Sequence, residues 1–136
     1  MNAARTPQVI LSIAGLALAA VGSALLFAPA AMHGSNGVHL AADASLFSEV
    51  RAPGGALLVL GAIVAAGAFV SRLQLPAAMI AAAVYLAYGL ARLLSMALDG
   101  MPAPGLVWVT GLEIVFGITT AMLFRRLWRS SRAGSR

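Results

Sequence analysis

The chain alternates between long apolar stretches and short polar connections. The apolar stretches cover residues 8–31, 48–70, 76–98 and 105–124. Each reaches about 20 residues, the length that a helix needs to cross roughly 30 Å of hydrocarbon. The pattern therefore predicts four transmembrane helices, numbered one to four along the chain.

The connections predict how these helices are arranged. Residues 71–74 (SRLQ) and 99–105 (DGMPAPG) form short turns, so they join antiparallel neighbours. The polar connection over residues 32–45 is longer, and we expect an outer loop there between helices one and two. The predicted fold is an all-α membrane protein, a four-transmembrane-helix bundle. A single domain is expected over residues 1–124, followed by a basic cytoplasmic tail over residues 125–136.

Small residues recur every four positions in two of the predicted helices. They are Gly15, Ala19 and Ser23 in helix one, and Ala83, Ala87, Ala91 and Ser95 in helix three. Small side chains let helix backbones approach closely in lipid, where no hydrophobic force drives helices together. We expect both stripes to face neighbouring helices within the bundle.

The first apolar stretch has a second interpretation, a cleaved signal peptide. Residues 28–30 (APA) resemble the small-residue site at which such peptides are cut. The apolar core of this stretch is about 19 residues long, whereas a signal peptide has about 7–15. A retained helix is the favoured interpretation.

Composition agrees with a membrane location. Hydrophobic residues make up 61% of the chain and charged residues 10%, whereas a soluble domain carries about 25% charged residues. The chain contains no cysteine. This excludes disulfide scaffolds, iron–sulfur ligation and CxxC redox chemistry.

The distribution of arginine predicts the orientation. Cytoplasmic segments carry an excess of positive charge, so both termini are expected inside, in a multi-pass protein of the bacterial inner (cytoplasmic) membrane. The inner side then holds seven of the nine arginines: Arg5, Arg72, Arg125, Arg126, Arg129, Arg132 and Arg136. The tail accounts for the net charge of +5, so membrane lipids are the expected partners and nucleic acid is not.

Two opposite charges lie inside predicted spans. Arg92 is roughly 9 Å below the outer end of helix three, and Glu113 is roughly 12 Å below the outer end of helix four. An unpaired arginine at the centre of a span costs about 2.5–3.5 kcal/mol. Because the two helices are antiparallel neighbours, we predict a buried salt bridge between Arg92 and Glu113.

Further polar residues share the faces of these two charges. On helix three they follow spacings of 3 and 4, typical of one helix face. Glu49 and Arg51 enter the same outer half from helix two, and Thr110 and Thr120 flank Glu113 on helix four. Charged faces avoid lipid, so this cluster should line the bundle interior or a cavity. The predicted cluster comprises Glu49, Arg51, Tyr85, Tyr88, Arg92, Ser95, Asp99 and Glu113.

The cluster has two interpretations at this stage. It is either an ion-pair network that fixes the helices, or a pocket for the headgroup of a lipid, quinone or other small amphipathic ligand. In the second case Arg92 supplies a cationic fork of donors and the tyrosines supply rings and hydroxyls. A pocket of this kind should open outward between helices two, three and four.

Other function classes follow from the same residues. The protein is alternatively an accessory or structural subunit of a larger membrane complex, or a homo-oligomer, in which the ion pairs serve assembly. A proton-coupled transporter that titrates Glu113 has less support, because four helices show no evident inverted repeat. An enzyme has least support, since no nucleophile, metal cluster or cofactor motif accompanies the carboxylates.

A metal site has weak candidates in the outer loop. His33, His39 and Asp43 carry ligand atoms that suit zinc or copper. Histidines occur in loops in this number by chance, and no cysteine assists them. No metal and no cofactor is predicted.

The spaced polar residues and glycines resemble those of a known family. The motifs are Glu49-x-Arg51-Ala52 with Gly54-Gly55, Gly89-x-x-Arg92-x-x-Ser95, Asp99-Gly100-x-Pro102, and Glu113. They resemble a family of small bacterial four-helix membrane proteins, a domain of unknown function that is distantly similar to DoxX-like proteins. The resemblance covers residues 11–124, and it implies the four-helix fold and the importance of these polar positions. Pro53 departs from the larger or aromatic residue expected there.

Overall fold

The computed structural model describes residues 5–133, and its elements are almost entirely helical. The helices are α1 (Thr6–Phe27), α2 (Pro29–Gly34), α3 (Ala44–Phe69), α4 (Gln74–Asp99) and α5 (Pro104–Ala133), with one 3-10 turn at Ser71–Leu73. Four of them, α1, α3, α4 and α5, are long and apolar enough to cross a membrane. No strand occurs among the described residues. The predicted all-α bundle of four transmembrane helices is confirmed.

The first transmembrane helix ends earlier than the apolar stretch indicates. α1 stops at Phe27, and Pro29 begins the separate helix α2. Proline ends the first helix because it has no N–H to donate and its ring clashes with the preceding turn. The expected loop over residues 32–45 is therefore partly helical, and the irregular connection shortens to residues 35–43.

The second and fourth transmembrane helices are longer than predicted. Asp43 Oδ1 accepts a hydrogen bond from the Leu46 N–H at 2.8 Å, so a capped α3 begins at Ala44. α3 then runs through Pro53 without a break. α5 continues to Ala133, so the described part of the basic tail extends this helix. Arg136, which was assigned to the predicted basic tail, lies outside the described residues.

The four spanning helices form a ring in which each neighbour is antiparallel. α1 packs along α3, α3 along α4, and α4 along α5, while α1 and α5 close the ring with sparse contacts. α1 also reaches α4 across the bundle, whereas α3 and α5 do not meet within the described chain. We call the end near residues 6, 72 and 133 the tail side, and the end near residues 35–43 and 100–103 the loop side.

The packed core occupies the tail-side half of the bundle. Its buried residues come from the early turns of α1 and α4 and from the late turns of α3 and α5, and they include Leu11, Ala14, Val64, Ala78, Ala81 and Leu123. The loop-side turns contribute few buried side chains. The bundle is therefore closed at one end and loosely filled at the other.

Glycines bring α1 and α3 into close contact. A Cβ added to Gly15 would overlap the backbone of Ala65, and one added to Gly61 would overlap the backbone of Ala19. Gly22, seven residues after Gly15, meets Gly54, seven residues before Gly61, in the same way on these antiparallel helices. The predicted small stripe of helix one thus does face a neighbour, with Gly22 in place of Ser23.

The second predicted small stripe is not buried against a neighbouring helix. All four of its members on α4 (Ala83, Ala87, Ala91 and Ser95) are exposed. The buried small residues of α4 are instead Ala77, Ala78, Ala81 and Ala82. Both sets have helical spacing, so spacing alone did not reveal which face of α4 meets the bundle.

The close approach of α1 and α3 makes Gly61 intolerant of a side chain. We expect Gly61→Ala to destabilise the protein by about 1–3 kcal/mol, because overpacking forces backbone shifts. Gly55→Ala, on the same helix, is the matched control, since no described atom lies within 4 Å of a Cβ added at Gly55. Equilibrium unfolding in bicelles measures both variants. Equal stabilities of the two variants would contradict the glycine contact.

Candidate functional site

A cavity of about 340 Å³ lies in the loop-side half of the bundle. Its walls come from α1, α4 and α5, and the segment from Met32 to Val38 covers its loop-side end. The walls are predominantly apolar, and the volume falls within the range of about 300–1,000 Å³ found for small-molecule sites. The expected position between helices two, three and four is wrong. α3 contributes only Leu57 to the lining, because its glycines hold it tightly against α1.

Arg92 and Glu113 meet at the wall of this cavity. The Arg92 Nε donates hydrogen bonds to both carboxylate oxygens of Glu113, at 3.0 and 3.2 Å. The predicted salt bridge therefore forms, but it is not buried. The Arg92 side chain is 34% exposed and that of Glu113 is 13% exposed, because the pair borders the cavity and not the packed core.

The Arg92–Glu113 pair leaves most of the guanidinium unused. Arginine has five N–H donors, and only the one on Nε is engaged by Glu113. Within the described part of the chain, the two terminal nitrogens of Arg92 have no hydrogen-bond partner. Glu113 thus fixes the guanidinium through one edge while the opposite edge stays available at the cavity.

The two tyrosines of α4 differ in role. The buried Tyr85 donates a hydrogen bond from its hydroxyl to the Ala14 carbonyl of α1 at 2.8 Å. Its ring stacks on Phe116 of α5, with 5.1 Å between the centroids. Tyr88 lines the cavity, and its hydroxyl has no hydrogen-bond partner among residues 5–133. Tyr85 therefore joins three helices, whereas Tyr88 keeps a polar group available.

Half of the predicted polar cluster lies away from the cavity. Glu49 and Arg51 are exposed near the start of α3, where the Arg51 guanidinium lies 5.7 Å from the Phe47 ring centroid. Ser95 donates to Asp99 at 2.9 Å on an exposed part of α4. The cavity thus brings together Tyr85, Tyr88, Arg92 and Glu113 from the predicted eight.

The threonines of the fourth transmembrane helix add no polar group to the site. Thr110 donates to the Leu106 carbonyl at 2.8 Å, and Thr120 donates to the Phe116 carbonyl at 2.7 Å. Such bonds satisfy the hydroxyl within its own helix. The free polar groups of the cavity therefore belong mainly to α4 and to the covering segment.

The weak metal candidates of the outer loop are separated. His33 bonds to the Pro29 carbonyl at 3.0 Å, and Asp43 caps α3. His39 is exposed. No group of three His, Cys, Asp or Glu residues could hold a metal ion within the described chain.

The covering segment is the part of the site that the sequence pattern missed. His33 and Asn36 line the cavity, and the Asn36 amide donates to the Met32 carbonyl at 3.1 Å. Pro29, which ends α1 and begins α2, was the available signal. The sequence alone did not show that the residues after Pro29 cover the cavity, because their position depends on tertiary packing.

The two tyrosines should respond differently to removal of the hydroxyl. We expect Tyr85→Phe to lose about 0.6 kcal/mol of stability, and at most about 1.7 kcal/mol, the range for hydrogen bonds between membrane helices. Tyr88→Phe should leave the free energy of unfolding unchanged, because its hydroxyl has no partner in the part of the protein that the structure describes. Unfolding in bicelles compares them, and a larger loss for Tyr88→Phe would contradict this assignment.

Comparison with known proteins identifies the family. The model of a family described as a domain of unknown function, DUF4345, matches residues 6–124. No curated protein and no solved structure matches the chain. The match covers all four spanning helices up to the start of the basic tail, so the chain belongs to the DUF4345 family of unknown function.

Proposed function

We propose that this protein is a binding protein of the bacterial inner membrane. Its cavity holds the headgroup of a lipid, a quinone or another small amphipathic molecule. The observation that carries the proposal is the Arg92 guanidinium, of whose five N–H donors only the one on Nε has a partner within the described residues. Glu113 fixes it through Nε, and its terminal nitrogens remain available at an apolar cavity.

The unused donors favour a polar ligand group. A guanidinium in an apolar setting is costly unless its donors are satisfied. Two terminal nitrogens form a planar fork, which suits oxygen acceptors of a headgroup. The Tyr88 hydroxyl adds a further donor or acceptor at the same cavity.

The remaining walls favour an apolar ligand body. Leucine, valine and phenylalanine side chains make up more than half of the lining residues, and most of these side chains belong to α1 and α5. Small-molecule sites commonly combine apolar walls with a few convergent polar groups. An amphipathic molecule satisfies both requirements.

The first test is native mass spectrometry of gently solubilised protein. We expect wild type to retain a small molecule of defined mass. Arg92→Gln should weaken its retention roughly ten- to hundredfold, because a hydrogen bond to a charged group contributes about 1.5–3 kcal/mol. Arg51→Gln is the matched control, since Arg51 is exposed and outside the cavity.

Other outcomes support other functions. If wild type carries no small molecule and Arg92→Gln loses a partner protein or unfolds, the ion pair serves assembly and the protein is an accessory subunit. If folded Glu113→Gln loses a proton-driven flux that wild type shows, the protein is a transporter. Either result would overturn the binding function.

A further inference from the structure

The cavity opens sideways, between α1 and α5. Val21 on α1 and Val109 and Leu112 on α5 line the cavity and are also 40%, 36% and 57% exposed. These residues belong to membrane-spanning helices. α1 and α5 are also the neighbours with the sparsest contacts. We call this opening, bordered by Val21, Val109 and Leu112, the lateral seam.

The loop-side end of the cavity is covered. Met32, His33, Asn36 and Val38 lie over it. The Asn36 side-chain oxygen lies beside Gly105 at the start of α5, so the cover reaches from α1 to α5. A ligand that enters through the lateral seam comes from the hydrocarbon layer, not from water.

The size of the cavity restricts what it encloses. Its volume of about 340 Å³ lies near the lower end of the range of about 300–1,000 Å³ found for small-molecule sites. This space accommodates a headgroup with its first carbons. A complete two-chain lipid is several times larger, so its chains would have to remain in the lateral seam and the surrounding bilayer.

The charge of the cavity restricts the headgroup. Arg92 and Glu113 are the charged members of its lining, and their formal charges cancel. An anion at the terminal nitrogens of Arg92 would lie close to the Glu113 carboxylate, which bonds the same guanidinium. An uncharged acceptor, such as a carbonyl oxygen, takes the free donors without that repulsion.

We propose that the occupant is an uncharged, carbonyl-bearing membrane lipid that enters through the lateral seam. Its carbonyl oxygens accept hydrogen bonds from Arg92 and Tyr88, and its chains stay in the seam between α1 and α5. This inference rests on the proposed binding function and specifies its ligand class and route.

The preference for an uncharged headgroup is tested with two lipids that have the same acyl chains. Purified protein in detergent is titrated with dioleoylglycerol and with dioleoyl phosphatidic acid, and bound mass is measured by native mass spectrometry. Dioleoylglycerol should bind more tightly by roughly tenfold or more, because like charges placed together in a site are strongly unfavourable. Glu113→Gln should shift the preference toward phosphatidic acid, since the site then carries a net positive charge.

Decylubiquinone forms a third arm of the titration. Its carbonyl oxygens lie on a quinone ring. Comparing its affinity with that of dioleoylglycerol therefore distinguishes a quinone ligand from an acylglycerol ligand. Tighter binding of either uncharged probe than of phosphatidic acid supports the proposal. Equal or tighter binding of phosphatidic acid by wild type overturns it.

The route is tested by narrowing the lateral seam. Leu112→Trp and Val21→Trp should slow uptake and release of the preferred probe together, with little change in equilibrium occupancy. Val115→Trp is the matched control, because Val115 is 60% exposed on α5 and does not line the cavity. It should exchange the probe at the wild-type rate.

The possible results distinguish a failure of the lateral route from a failure of the ligand class or of the binding function. Unchanged exchange in both seam variants, with normal binding by wild type, overturns the lateral route alone. Lower occupancy without slower exchange means that the tryptophan fills the site, which also overturns the route. A wild-type protein that binds none of the three probes overturns the inference. If it nevertheless retains another small molecule that is lost in Arg92→Gln, the binding function stands.

Discussion

The ion pair between Arg92 and Glu113 is the interaction that the loop-side half of the bundle depends on. A lone arginine inside a span costs about 2.5–3.5 kcal/mol, and Glu113 offsets that cost through two contacts with Nε. The α4–α5 connection makes this possible, because it returns the chain at once and sets both residues at similar depth. Gly100, with φ of 95°, permits the sharp end of α4 that this return requires.

One half of the bundle is tightly packed, and the other half contains the cavity. Glycines and alanines bring the backbones together along α1 and α3 and in the tail-side core. In the other half, the cavity lies between α1, α4 and α5, where the ion pair joins α4 to α5 and the contacts between α1 and α5 are sparse. Tyr85 connects α4 to the other two helices around the cavity, because its hydroxyl bonds to α1 and its ring stacks on α5.

Much of the fold could be predicted from the sequence, because apolar length alone separates spans from connections. The contact between Arg92 and Glu113 was also predictable, since charge, depth and a short turn all restrict it. The partial exposure of the pair was not predictable, because it depends on a cavity that no local sequence pattern indicates.

The positions of the other predicted residues depend on which helix faces pack together. Glu49 and Arg51 were predicted at a similar depth, but they lie on α3, which has no contact with α5 among the described residues. The small stripe of α4 has the right spacing but is exposed. Periodicity identifies a face of a helix, and only tertiary packing decides what that face meets.

The most direct test is a double-mutant cycle between Arg92 and Glu113. The free energies of unfolding of wild type, Arg92→Gln, Glu113→Gln and the double variant would be measured in bicelles. The double variant should lose less stability than the sum of the single losses, with a coupling of about 0.5–3 kcal/mol, the range for residues in contact. Strictly additive losses would mean that Glu113 does not stabilise Arg92, and would contradict the role assigned to the pair.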